Sequence, residues 1–242
     1  MQHVRFTVDG IKLAGAIFYP ENLKDKNPAI FFVQGWTGNM TRSFQYAEAL
    51  SKLGYICFLF DNKGHGDSEG DIKDFTTREF FDGVLAAYDY LLTIEKVDKE
   101  NISAIGSSFG GYLVALLSEK RKVNNLVLRA AADYPNDDFE KIKFVEDVKE
   151  LVAIIDWRKI PKKAEETYAL KALNHFPGKV LIIESEKDDM VPHQTIENYK
   201  DAVKDKNKLT HIVMKDAQHS IKEGRFRNEV TKILTDWFKT KI

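Results

Sequence analysis

The chain has 242 residues, 43% of them hydrophobic and 30% charged, with 36 basic and 37 acidic side chains and a net charge of −1. That balance, without a basic tract, excludes the electrostatic footprint of a nucleic-acid binder, and no apolar run approaches the length of a membrane span. A single cysteine, Cys57, excludes an internal disulfide framework, and the length suits one domain with a full core over residues 1–242.

The N-terminal "MQHVRFTVDG" lacks the basic-then-apolar pattern of a signal peptide, so the expected compartment is the cytoplasm. "HVRFTV" and "LAGAIFY" read as two strands joined around Asp9-Gly10, a hairpin signal. "AIFFV" (29–33) and "YICFLF" are short continuous apolar runs suited to buried strands, and Cys57 lies inside the second as an inert thiol. Between them "FQYAEALSKLG" reads as a helix closed by Gly54. Phe81, Val84, Leu85, Tyr88, Leu91 and Leu92 share one helical face.

"ISAIG" (102–106) is a strand, "FGGYLVALLSEK" a helix, "NLVLRAA" and "KVLIIES" further strands, and "LTHIVM" (209–214) the last one. A closing helix carries Phe226, Val230, Ile233, Leu234, Trp237 and Phe238 at three-to-four spacing. Strands apolar throughout and separated by helices imply an α/β fold: a mostly parallel sheet covered on both faces, with the hairpin as an antiparallel edge. The alternation breaks over 132–178, where two helical patterns and no clear strand occur, one with the stripe Val145, Val148, Leu151, Val152 and Ile155. This interval is expected to be a small helical lid over the C-terminal edge of the sheet, where ligands bind in open α/β folds.

Ser108 is the first candidate for chemistry. It follows a strand and opens a helix within "GSSFGG" (106–111), and glycines two residues either side suit a nucleophile elbow, where any Cβ would collide. The helix N-terminus favours a developing anion. Serine needs a base, and the base needs an orienting acid. Among six histidines, His219 in "KDAQHS" falls after the last strand and before the last helix. His3 lies on an edge strand, His175 and His193 read as exposed or structural, His211 as a satisfied histidine within a strand, and His65 as part of a turn. For the acid, Asp188 and Asp189 follow one strand and Asp133 the strand before it. The order Ser…Asp…His and the spacing D-x-x-V-P favour Asp188. Oxyanion donors are expected from the backbone N–H of Phe109 and, in the glycine-rich "VQGWTGNM", from that of Trp36.

Taken together these motifs resemble the serine α/β-hydrolase family, in particular its compact esterase and monoacylglycerol-lipase-like members, including the cinnamoyl and feruloyl esterases. "QGWTGN" (34–39) resembles the oxyanion loop "HGFTGN", "DNKGHGDSEG" (61–70) the turn D-x-x-G-H-G-x-S, and "EKDDMVP" (186–192) with "AQHS" (217–220) the acid and histidine loops. The chain departs from the pattern at Gln34, where the family usually has His, and at Ser185, where a glycine often precedes the acid motif.

The expected function is hydrolysis of small-molecule carboxylic esters through Ser108, His219 and Asp188 and an acyl-enzyme, with no cofactor and no metal. Thioesterase, lysophospholipase, acyltransferase and peptidase chemistry would use the same groups. An alternative of another class is a non-catalytic ligand-binding or interaction protein on this fold. Tyr134, Phe139, Trp157 and Tyr168 are candidates to line an apolar substrate pocket. Substrate identity and oligomeric state are not encoded in any motif.

Overall fold

Asp9 and Gly10 both adopt positive φ, 50° and 82°, the backbone that closes a two-residue turn in step with the twist of its strands. In the computed structural model, which describes residues 1–144 and 147–240, this turn joins β1 (Gln2–Val8) to β2 (Ile11–Phe18) in an antiparallel pair. The remaining strands are β3 (Asn27–Val33), β4 (Ile56–Phe60), β5 (Val97–Ser107), β6 (Asn125–Arg129), β7 (Lys179–Lys187) and β8 (Leu209–Gln218). They form one eight-stranded sheet in the order β1-β2-β4-β3-β5-β6-β7-β8, antiparallel from β1 to β4 and parallel from β4 to β8. The fold is that of the α/β-hydrolases.

The helices are α1 (Phe44–Ser51), α2 (Thr77–Thr93), α3 (Phe109–Lys120), α4 (Val148–Arg158), α5 (Tyr168–His175), α6 (His193–Ala202) and α7 (Gly224–Lys239). Period-two alternation sends each strand's residues to two separate cores. On β3, Phe31 and Val33 face α2, α3, α5 and α6, while Ile30 and Phe32 face α1 and α7. α2 starts with a capping box, in which Glu79 N–H donates to Thr76 Oγ1 (3.1 Å) and Thr76 N–H to Glu79 Oε2 (2.8 Å). No helix among the described residues is long and apolar enough to cross a membrane.

Three features differ from the sequence expectation. β5 begins at Val97, five residues before "ISAIG", and β8 runs on to Gln218 rather than stopping at Met214. The polar ends of both strands hide the pattern, because edge and terminal positions are half-solvated. The interval 132–178 also divides in two. α5 buries Ala169, Leu170, Ala172 and Leu173 and packs against α3 and α6, so it is the crossover helix between β6 and β7. α4 buries Arg158 but leaves Val148, Leu151 and Val152 exposed at 71%, 38% and 50%. The stripe therefore has no core beneath it, since a helical period marks an apolar face without saying what covers it. Val145 lies outside the described residues.

Candidate active site

Ser108 sits between β5 and α3 with φ 54° and ψ −118°, a strained backbone for a residue with a side chain. The flanking glycines explain how the turn closes. A Cβ on Gly106 would lie 2.2 Å from the Gly110 carbonyl oxygen, and one on Gly110 would lie 2.1 Å from the Val33 oxygen. The turn is held from the next strand, where Ser108 N–H donates to the Arg129 carbonyl (2.9 Å).

The extension of β8 delivers His219 to the same edge. Its Nε2 lies 2.9 Å from Ser108 Oγ and its Nδ1 2.8 Å from Asp188 Oδ2, so the three expected side chains converge from three strand-end loops. The second Asp188 oxygen accepts from the N–H groups of Met190 (3.0 Å) and Val191 (2.7 Å). Those two donors fix the rotation of the carboxylate, and both residues are part of D-x-x-V-P. The Asp188 side chain is 4% exposed and that of His219 16%. Such a set can take a proton from a hydroxyl and hold the resulting imidazolium.

Asp133 takes no part in this set. It is buried, its Oδ1 accepts from Tyr134 N–H (3.0 Å), and burial pushes its carboxyl up to about 6. Asp189, exposed beside Asp188, makes no hydrogen bond to His219.

The loop after β3 crosses in front of Ser108, with a Gly35 Cβ position only 3.1 Å from the serine Cβ. Neither Trp36 N–H nor Phe109 N–H is taken by another group among the described residues, which leaves both open as donors. Asp61 braces this loop from the "DNKGHGDS" turn. Its Oδ1 accepts from Met40 N–H (2.6 Å) and from Gln34 Nε2 (3.0 Å), and Oδ2 from Asp67 N–H (3.0 Å). Gln34 also donates to the Phe60 carbonyl. The amide that replaces the family's usual histidine is thus part of a frame that ties both ends of the loop. A Cβ on Gly66 would collide with the Asp61 carboxylate at 2.1 Å, which accounts for that glycine. His65 is structural: Nδ1 lies 2.9 Å from the Lys63 carbonyl, its ring meets Trp36 edge-on at 5.4 Å, and burial lowers its pKa.

Sequence reasoning missed Arg129, at the end of β6. It is 9% exposed. Its guanidinium donates to Ser107 Oγ (3.2 Å), Ser185 Oγ (3.0 Å), the Gln218 carbonyl (3.2 Å) and the His219 carbonyl. Burial lowers its pKa, while the nearby Asp188 charge acts the other way. An arginine at the end of an apolar strand was the available signal, since a buried guanidinium needs partners. Ser185, the other departure from the family pattern, is one of those partners. The remaining histidines stand apart from Ser108: His193 Nδ1 (2.5 Å) and His211 Nε2 (2.8 Å) share the carboxylate of buried Glu184.

A cavity of about 1320 Å³ opens above Ser108. Tyr134 and Trp157 line it, together with Leu151, Ile154 and Met190. Phe139 and Tyr168 do not. Phe139 packs at 6.2 Å from Phe81 and 5.6 Å from Tyr168 with the Arg78 guanidinium over its ring, and Tyr168, 43% exposed, starts α5 on the outer side. Aromatic content alone could not tell these two from pocket residues. No group of three or more His, Cys, Asp or Glu side chains among the described residues is placed to hold a metal ion.

The chain is 28% identical over 223 residues to bovine (Bos taurus) palmitoyl-protein thioesterase ABHD10, mitochondrial, a match covering 84% of this chain and 70% of that protein. Its fold is similar to Est1E from Butyrivibrio proteoclasticus, solved with ferulic acid, with a TM-score of 0.74, 19% identity and 97% of each chain covered. It is also similar to mouse alpha/beta hydrolase domain-containing protein 10, with a TM-score of 0.69, 19% identity and 100% of each chain covered. Residues 41–242 match the model of the prolyl oligopeptidase family, and the chain belongs to that family of serine hydrolases on the α/β-hydrolase fold.

Proposed function

We propose that this hydrolase cleaves carboxylic esters through an acyl-enzyme on Ser108. In this reading Ser108 Oγ attacks the carbonyl carbon as His219 Nε2 takes the hydroxyl proton. The imidazolium then gives that proton to the departing alcohol oxygen. Asp188 accepts the Nδ1–H bond, keeps the tautomer that leaves Nε2 basic, and stabilises the charged ring. The N–H groups of Trp36 and Phe109 receive the oxyanion, where loss of one donor costs about 10²–10³ in rate. A water molecule, deprotonated by His219, repeats the sequence on the acyl-enzyme and releases the acid.

The observation that carries the reading is the paired contact of His219, 2.9 Å to Ser108 Oγ and 2.8 Å to Asp188. Thioesters are a second substrate class, favoured by the relatives named as palmitoyl-protein thioesterases; the same groups would expel a thiolate. The test is turnover of p-nitrophenyl esters of graded acyl length and of matching thioesters, with Ser108→Ala as control. Ser108→Ala is expected to fold and to lose nearly all turnover, keeping at most the residual ~10³–10⁴-fold over water that remains when such a set loses a member. Wild-type turnover by a folded Ser108→Ala sample, or no labelling of the wild type by a fluorophosphonate, would refute it.

A further inference from the structure

One group at the site has no part in that chemistry. Lys143, in the segment between β6 and α4, lines the cavity above Ser108. Its Nζ lies 4.6 Å from the ring centre of Tyr134, 4.9 Å from that of Trp36 and 5.3 Å from that of Phe109. Trp36 and Phe109 are the residues whose N–H groups were assigned above to the oxyanion, so the ammonium stands beside the place where the substrate carbonyl would lie. The backbone at and just before it is tied down: Lys143 N–H donates to the Phe75 carbonyl (3.0 Å), and Thr76 bridges to Ile142.

Among the described residues no carboxylate lies within 4.0 Å of Lys143 Nζ, and no hydrogen-bond acceptor reaches it. The acidic side chains that share the cavity are otherwise placed. Asp138 pairs with Lys141 (2.9 Å), Asp147 caps α4 by accepting Lys149 N–H (2.8 Å), and Glu150 lies exposed on α4. Ring faces hold a cation but satisfy none of its three N–H donors. An ammonium so placed presents directed donors to whatever enters the cavity.

We propose that Lys143 is a specificity-determining residue that receives an anionic oxygen group, a second carboxylate, on the acyl part of the substrate. The inference rests on the ester-hydrolase reading of the same site. The acyl side is assigned by proton transfer: the leaving oxygen must sit within reach of His219 Nε2, whereas the rings that hold Lys143 belong to the oxyanion loop, the start of α3 and the loop after β6. A half-ester of a dicarboxylic acid meets both requirements, with its carbonyl at Ser108 and its free carboxylate on the ammonium.

The experiment compares p-nitrophenyl hemiglutarate with p-nitrophenyl hexanoate of matched reach, in wild type, Lys143→Met and Lys143→Arg. The readout is the ratio of their kcat/KM values. Lys143→Met is expected to lower this ratio about 10- to 100-fold, the value of a hydrogen bond to a charged group, and Lys143→Arg to restore most of it. An unchanged ratio would overturn the proposal, whether both substrates fall together through structural damage or rise together because the side chain only obstructs the cavity. Calorimetry of glutarate on Ser108→Ala and on Ser108→Ala with Lys143→Met reads the same contact without turnover. Weaker binding in the double variant supports the proposal even if no ester is hydrolysed, and equal binding sinks it.

Discussion

At the residue scale the two buried aspartates at neighbouring strand ends have opposite environments. Asp188 is fixed by two backbone N–H donors and lies against the imidazole Nδ1. Asp133 has one backbone donor and an otherwise buried setting, and burial pushes its carboxyl up to about 6 from 3.8. Ionising it inside the fold costs roughly 3 kcal/mol at most. The sign follows from linkage. The raised folded value means that the unfolded chain loses its proton first, so stability contributed by the neutral form is complete below about pH 4 and is lost as pH rises toward about 6. Asp133→Asn is therefore expected to flatten the fall in melting temperature between those limits and to keep activity. Asp188→Asn should lose on the order of 10⁴ in turnover with the fold intact, because the imidazole then holds the wrong tautomer. Melting curves across pH and turnover of the two variants check both statements, and a crippled Asp133→Asn would move the acid to the loop after β6.

At the element scale the site is an assembly of strand ends, and Arg129 is the side chain that ties them. It joins the ends of β5 and β7 through Ser107 and Ser185 and the end of β8 through the carbonyls of Gln218 and His219. Arg129→Met should lower kcat by about 10²-fold, the size of a small misplacement of reacting groups, with KM nearly constant. Its melting temperature should fall as well, because the buried acceptors at Ser107, Ser185, Gln218 and His219 lose their donor. A lower melting temperature with kcat unchanged in the folded variant would show a folding role alone. α4 is the other element with a test. Trp157 lines the cavity from a helix whose apolar stripe is exposed, and Lys162 Nζ sits 3.7 Å from its ring centre. Trp157→Ala should shift the ratio of long-chain to short-chain ester hydrolysis more than it shifts melting temperature. A uniform loss across chain lengths would remove α4 from substrate selection.

At the scale of the whole molecule, the α/β architecture was legible because continuous apolar runs such as "AIFFV" and "YICFLF" report strands covered on both faces. The glycines of "GSSFGG" announced a turn that only bare backbone can make, and the contacts at Gly106 and Gly110 show why. The order of Ser108, Asp188 and His219 was legible for the same reason: strand-end loops of a parallel sheet all open on one edge. What stayed hidden depended on side chains meeting across distance. Nothing local marks Phe139 as packed away and Tyr134 as lining the cavity, because both are aromatic residues in one loop segment. Nor does any local pattern separate α5, buried on α3, from α4, which overhangs the cavity. Arg129 reads as a charge at a strand end until Ser107, Ser185 and the His219 loop gather round it, and Lys143 as one surface lysine among many until three rings enclose it. Period and spacing determine which elements form and which edge carries the loops, since those follow from backbone geometry and local burial. Which polar groups end up sharing a partner is decided by the closed sheet, because hydrogen bonds and cation–ring contacts act over a few ångströms between residues tens of positions apart.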